Sequence, residues 1–288
     1  MKVILKKGKN RKENILNCLA EIKSEIKKAI KNKKRIIIKP NFVNIKKQLA
    51  ASHVDAAEAI IEFFKQITDK PIIIAESSAQ NTNKGYKNFH FEKLKERHNV
   101  PLIDLNKEPY KYISLGKVKI RVARMMLNKN NFIISLTKPK THNAVIATLS
   151  IKNLLMGSII KSGKIKGNDK GKMHHSKPDI NYLLAKLSQK LYPDLSIIDG
   201  YTGMEGNGPV NGKPVKHRIA IASLSPIAAD LTCLKCMSIP VKDIGYLTYI
   251  KQRKNPRYKI DGNISACKRK YKLHKNIKKQ LAWKKHGI

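Results

Sequence analysis

Cysteine is scarce in this chain: Cys18, Cys233, Cys236 and Cys267 are the only four among 288 residues. That is too few, and too irregularly spaced, for a disulfide framework, so a reducing compartment fits. No apolar run is long enough to cross a bilayer. The lysines of Met1–Lys7 are followed by no long apolar stretch, so a secretory signal is not expected. Together these absences place the protein in the cytoplasm. Acidic residues are the other shortage, with 20 Asp and Glu against 60 Lys and Arg and a formal net charge of +40. A surface of this charge draws polyanions. Lysine far outnumbers arginine, and Asn and Ile are abundant, a usage that an AT-rich genome also produces. Such a bias does not by itself oblige a chain to hold so few acids.

What is present is a globular composition, 41% hydrophobic, in a chain long enough for a substantial core. Short runs rich in Ile and Val recur at 35–39, 71–75, 100–104, 131–136, 195–199 and 218–222. They are apolar throughout rather than alternating, which is the pattern of strands buried on both faces of a parallel sheet. Helical stripes lie between several of them. Asn14 to Lys31 aligns Ile15, Leu19, Ile22, Ile26 and Ile30, and Val54 to Gln66 and Asp179 to Leu191 follow the same period. The expected fold is α/β, a mostly parallel sheet with helices on both faces. Tyr112 to Val122 alternates as a hairpin or edge strand would.

The spacing divides the chain into an α/β domain over 1–250 and a basic tail over 251–288, of which Lys268 to Lys284 suits a helix. Gly157 to Lys177, with four glycines, six lysines and the pair His174-His175, reads as a long mobile loop of the kind that closes over a site.

Polar residues follow each strand: Lys39-Pro40-Asn41, Glu76-Ser77-Ser78, Lys138 to His142, Asp199-Gly200, and Ser223, Ser225 and Asp230. In a parallel sheet these ends share one rim, where open α/β sheets bind ligands. Two lysines near His142 favour its neutral form, able to act as a base. Lys152 and Asn153, in an apolar setting, need partners that an anion would supply. The glycines of Gly200 to Pro209 permit close backbone approach, as at Gly206 and Gly208, but match no nucleotide-binding fingerprint. Cys233 and Cys236 read as small core residues of a helix. His53 precedes a helix that Ser52 could cap.

These motifs, in this order, resemble the family called domain of unknown function 362, over residues 35 to about 240. The resemblance implies an α/β domain whose activity is largely unassigned. Some members carry a ferredoxin-like segment with iron–sulfur cysteines. This chain has no such pattern, so a cluster is not expected.

The leading expectation is an enzyme acting on a small anionic substrate. His142, Glu205 and Lys140 are the catalytic candidates. Asn41, His53, Ser77, Ser78, Lys138, Lys152, Asn153, Gly206 and Gly208 are the ligand-binding candidates. A divalent metal remains an open alternative, with Glu76, Asp199, His174 and His175 as its candidate ligands. The rival expectation is an RNA- or polyanion-binding module working through the basic surface and tail.

Overall fold

The computed structural model describes residues 1–161 and 168–286. Its strands are β1 (Lys2–Lys7), β2 (Arg35–Lys39), β3 (Ile72–Glu76), β4 (Leu102–Asp104), β5 (Tyr110–Leu115), β6 (Val118–Ala123), β7 (Asn131–Thr137), β8 (Lys140–His142), β9 (Ile146–Thr148), β10 (Leu195–Glu205), β11 (Lys213–Ser223) and β12 (Lys259–Asp261). The main sheet runs in the order β12-β1-β11-β10-β7-β2-β3-β4. Strands β10, β7, β2, β3 and β4 are mutually parallel. The fold is α/β with a mostly parallel sheet.

The apolar runs work as the pattern implies, because successive side chains enter different cores. Ile36 and Ile38 of β2 join one cluster with Ile72 and Ile74 of β3, and with Phe132, Ile134 and Leu136 of β7. Ile37, Ile73, Ala75 and Ile133 join the other. Helices α1 (Arg11–Ala20), α2 (Lys23–Ile30) and α3 (Val54–Lys65) cover the first face. The second is covered by α6 (Ser150–Met156), α8 (Ile180–Leu187), α9 (Pro226–Met237) and α10 (Gly245–Arg253). Two short helices, α4 (Thr82–Asn88) and α5 (Glu92–His98), lie between β3 and β4. The stripe expected as one helix over Asn14–Lys31 is broken at Ile22, whose φ of −121° and ψ of 20° are not helical. Its isoleucines and Leu19 are nevertheless all buried in one core.

One strand runs against expectation. β11 is antiparallel to both β10 and β1. Its carboxyl end, Ser223, pairs with Ser196 at the start of β10, so Ser223 and Ser225 lie at the opposite edge from the other strand ends. The glycine-rich stretch is also not simply a loop. β10 continues through Gly200 to Glu205, with a register shift between Gly200 and Thr202, and the turn begins at Gly206.

The stretch expected as a mobile loop carries α7 (Asp169–His175), with Asp169, Lys170 and Met173 buried. Residues 162–167 lie outside the described residues. Beyond residue 250, β12 pairs with β1, and Cys267, Tyr271 and Trp283 enter the core cluster shared by α8, α9 and α10. α11 (Ile264–Cys267) ends before Lys268, and in place of a helix over Lys268–Lys284 there are α12 (Ile277–Gln280) and a 3-10 turn at Leu281–His286. The hairpin of β5 and β6 forms as expected, as a separate two-stranded sheet.

Candidate functional site

The parallel neighbours β2 and β3 end side by side, and their last residues form an ion pair. Lys39 Nζ lies 2.8 Å from Glu76 Oε2, with the two side chains 0% and 2% exposed. Glu76 Oε2 also accepts the N–H of Phe42 at 3.0 Å, and Oε1 accepts that of Ser77 at 2.7 Å. Burial draws Lys39 below its ordinary pKa, while Glu76 pulls the other way. Gly157, at the end of α6, leaves room for this ammonium: a Cβ there would stand 2.1 Å from Lys39 Nζ.

Beside the pair, the chain after β2 meets β8 and α6. Asn41 Nδ2 donates to Asn153 Oδ1 at 2.8 Å, and Lys140 Nζ donates to Asn41 Oδ1 and to the Ala50 carbonyl. Asn153 Nδ2 in turn reaches Ser135 Oγ and the Leu136 carbonyl at 3.0 and 3.1 Å. The start of α6 is held from the far side by Asp230. Its two carboxyl oxygens accept the N–H groups of Ser150 and Ile151 at 2.9 and 3.1 Å. Burial raises this carboxyl to about 7 against those two hydrogen bonds. Asp230 therefore supports the helix that carries Lys152 and Asn153, rather than lining the rim.

These elements enclose a cavity of about 280 Å³. Lys140, Lys152 and Lys170 are on its walls, with His142 and His174. Glu76 is the only acidic residue among the described lining residues, and Lys39 already pairs with it. Lys170 Nζ donates to the carbonyls of Ser77 and Met156. Burial lowers Lys152 and Lys170 to about 7 each, and takes Lys140 well below the usual lysine range, helped by Lys138 and Lys152. His142 and His174 stack with centroids 6.1 Å apart and planes 6° apart. His174 is itself exposed, yet desolvation on its cavity side, then the neighbouring Lys152, brings it down to about 4. The same two causes, with His174 added, hold His142 well below its usual value.

Of the residues expected from sequence, Asn41, Glu76, Ser77, Lys140, His142, Lys152, Asn153 and His174 meet at this cavity. The others do not line it. Lys138, brought down to about 8 by burial, donates to the Gln48 carbonyl and faces Asp199 and Arg11. Asp199 is bound by Arg11 at 3.0 Å. His53, not Ser52, caps α3, accepting the Asp55 N–H at 3.3 Å. Ser52 instead links the Asn41 N–H to the Leu136 carbonyl. Ser78 Oγ is spent on the Phe42 carbonyl.

Glu205 accepts the Lys272 N–H at 2.9 Å. Gly206 takes a φ of +74°, which makes it a turn residue. Gly208 allows close approach of two backbones, since a Cβ there would stand 2.1 Å from the Thr141 carbonyl oxygen. His175 is exposed. The metal set of Glu76, Asp199, His174 and His175 is thus split between the Lys39 pair, the Arg11 pair, the cavity wall and solvent. Among the described residues, the carboxylates and imidazoles that do gather within reach of one ion are Glu58, Glu62 and His98. Their charge is already met by Lys12, 2.5 Å from Glu62 and 3.5 Å from Glu58.

The cavity residues not expected as site residues from sequence include Lys170 and Thr148. Lys170 was hidden in a basic stretch, although it stands four residues before His174, on the same helix face. Thr148 lines the cavity with its buried hydroxyl lacking a hydrogen-bond partner among the described residues. A polar atom left bare at a cavity wall is a ready contact for a ligand.

The family model described as Domain of unknown function (DUF362) matches residues 36–235, the segment from β2 to α9 that builds this cavity. The chain belongs to the DUF362 family. The cavity residues all lie inside the matched DUF362 segment. A thylakoid-associated protein of Synechocystis sp. is 25% identical over 203 residues, covering 68% of this chain and 60% of that protein. The chain thus spans less than two thirds of that relative. A crystal structure of a Thermotoga maritima protein aligns with 13% identity and a TM-score of 0.36, over 67% of this chain and 50% of the other. That likeness is too remote to bear on fold or function. No helix among the described residues is long and apolar enough to cross a membrane.

Proposed function

We propose that this DUF362 protein is an enzyme of the cytoplasm acting on a small anionic substrate, a carboxylate or phosphate, held in the cavity beyond β2, β3 and β7. The observation that carries this reading is the charge of the walls. Lys140, Lys152 and Lys170 face one space whose single acidic lining residue is already paired. Buried cations without counterions are costly, and an anion in that space would relieve them. Lys140 and Lys170 are the residues to hold it, with Asn41 and the free Thr148 hydroxyl as neutral donors. A volume of about 280 Å³ suits a small metabolite rather than a nucleotide or peptide. A bound metal is not needed for this role, because the lysines supply the positive charge.

Calorimetric titration with glutarate, propionate and inorganic phosphate tests the reading, with glycerol as the neutral control. Saturable binding of at least one anion is expected. Lys170→Met should weaken it roughly tenfold to a hundredfold, the worth of a charged hydrogen bond. Failure of all three anions to bind, or indifference to Lys170→Met, would overturn the proposal.

A second reading rests on a different place. Tyr110 and Tyr112, 45% and 56% exposed, sit on the outer face of the β5–β6 hairpin. Lys119 lies over the Tyr112 ring at 4.7 Å, and Arg121 lies over that of Tyr110 at 5.7 Å. Aromatic rings among cations form a stacking platform for single-stranded RNA. Affinity for an oligouridylate should then fall steeply with salt and drop several-fold in Tyr112→Ala. Binding that ignores this substitution would leave only nonspecific charge.

A further inference from the structure

We infer that Lys152 is held as an uncharged amine and condenses with the carbonyl group of a small oxo acid bound in the cavity. This deepens the anionic-substrate reading and rests on it. The hydrogen bonds of His142 fix its tautomer. Its Nδ1 accepts the backbone N–H of Ala144 at 3.0 Å, so Nδ1 carries no hydrogen. The ring is neutral, because burial disfavours imidazolium. A neutral imidazole with a bare Nδ1 carries its hydrogen on Nε2. Nε2 lies 3.0 Å from Lys152 Nζ. A hydrogen on Nε2 needs an acceptor at that distance, and an ammonium group has none. Lys152 must therefore present a lone pair to the ring.

The surroundings agree. Burial alone brings Lys152 down to about 7. Lys39 is tied to Glu76, Lys140 donates to Ala50 and Asn41, and Lys170 donates to Ser77 and Met156. Among the described residues, Lys152 has no oxygen acceptor and no carboxylate partner. The lining groups of the same cavity include His142, His174 stacked on that ring, Lys140 and Lys170. An uncharged lysine beside two further amines that a bound carboxylate would hold protonated is the arrangement that imine chemistry requires.

The step balances with the groups named. The Nζ lone pair adds to the carbonyl carbon, and one N–H proton passes to the carbonyl oxygen, giving a carbinolamine. The C–O bond then breaks, and the hydroxyl leaves as water with the second N–H proton, leaving a C=N bond. Once the lone pair is spent on carbon, the His142 Nε2–H is released to donate to the departing oxygen. His142 is thus a positioning residue in the resting site and a hydrogen-bond donor during the reaction.

The test treats the whole chain with pyruvate or 2-oxoglutarate, reduces with sodium borohydride, and maps the adduct by peptide mass spectrometry. Propionate and glutarate, which lack the ketone, are the matched competitors. The expected result is one dominant adduct at Lys152, suppressed by glutarate or propionate and absent in Lys152→Met. Its rate should rise with pH and level off above about 7, the value to which burial brings Lys152. Exposed lysines would level off only near their ordinary value of about 10.4. Adducts scattered over surface lysines, or confined to Lys140 or Lys170, overturn the inference while leaving the anion site standing, provided the saturated acids still bind. Absence of both adduct and binding removes the anion site as well. Since the wild-type map alone decides the site of reaction, a Lys152→Met protein that fails to fold does not blunt the test.

Discussion

Glu76→Gln is expected to lower the stability of this protein by about 3–5 kcal/mol, the cost of leaving one partner of a buried ion pair alone. Lys39 has no exposure, and among the described residues its Nζ has only the Pro40 carbonyl, at 2.6 Å, besides Glu76. Removing the negative charge strands an ammonium or forces it to lose its proton. Glutamine also serves the site poorly as a hydrogen-bonding group. The carboxylate accepts from Phe42 on one oxygen and from Ser77 on the other, whereas an amide turns a donor toward one of them. The double variant Lys39→Met, Glu76→Gln should recover much of the loss, because it removes the uncompensated charge rather than the fold's packing. Urea denaturation of the two single variants and the double measures the coupling. A Glu76→Gln protein within about 0.5 kcal/mol of wild type, as for an ordinary surface change, would mean that the pair does not hold the strand ends together.

The pair also explains which parts of the site were legible in sequence. Lys39, Glu76 and Thr137 end apolar runs that are buried almost throughout, and strands so continuous identify themselves and their direction of travel together. Parallel neighbours then carry the residues after them to one side, so Asn41, Ser77 and Lys140 could be gathered without coordinates. The direction of β11 could not be read the same way. Its apolar run looks like the others, and only the long hairpin with β10 turns its end away, taking Ser223 and Ser225 with it. Asp199 was legible as a strand-end acid but not as the partner of Arg11, which lies 188 residues away in the chain. Gly206 and Gly208 illustrate the same limit. A glycine cluster signals close approach, and at Gly208 the approaching group is the chain's own Thr141 carbonyl rather than a ligand. Lys170 was missed because a single inward lysine among many outward ones leaves no trace in composition.

The buried lysines set an expected pH dependence of stability. In the unfolded chain a lysine keeps its proton up to about 10.5, whereas in the folded chain Lys152 and Lys170 lose theirs near 7 and Lys138 near 8. Between those values the unfolded state binds more protons, so stability must rise as pH increases across that window. Below about 7 both states are protonated at Lys152 and Lys170, and the penalty is full and constant. Several kcal/mol are at stake, since each tenfold change in a proton's affinity is worth about 1.4 kcal/mol. The melting temperature without ligand should therefore climb from pH 7 toward pH 10. The net charge of +40 also declines in this range, which relieves general repulsion and acts in the same direction. The two causes separate by substitution. Lys170→Met should flatten the slope and stabilise the protein at pH 7, where the wild type bears the cost of a buried cation. Lys111→Met, on an exposed strand position, should leave the slope as it was. A saturating anion should also flatten it, by raising the folded-state pKa values back toward the usual range. Its affinity must accordingly weaken as pH rises above about 7, because binding takes up the protons that burial had expelled. Stability that falls between pH 7 and pH 9 without ligand would mean that these side chains are not buried as amines, and the electrostatic basis for an anion site would go with them.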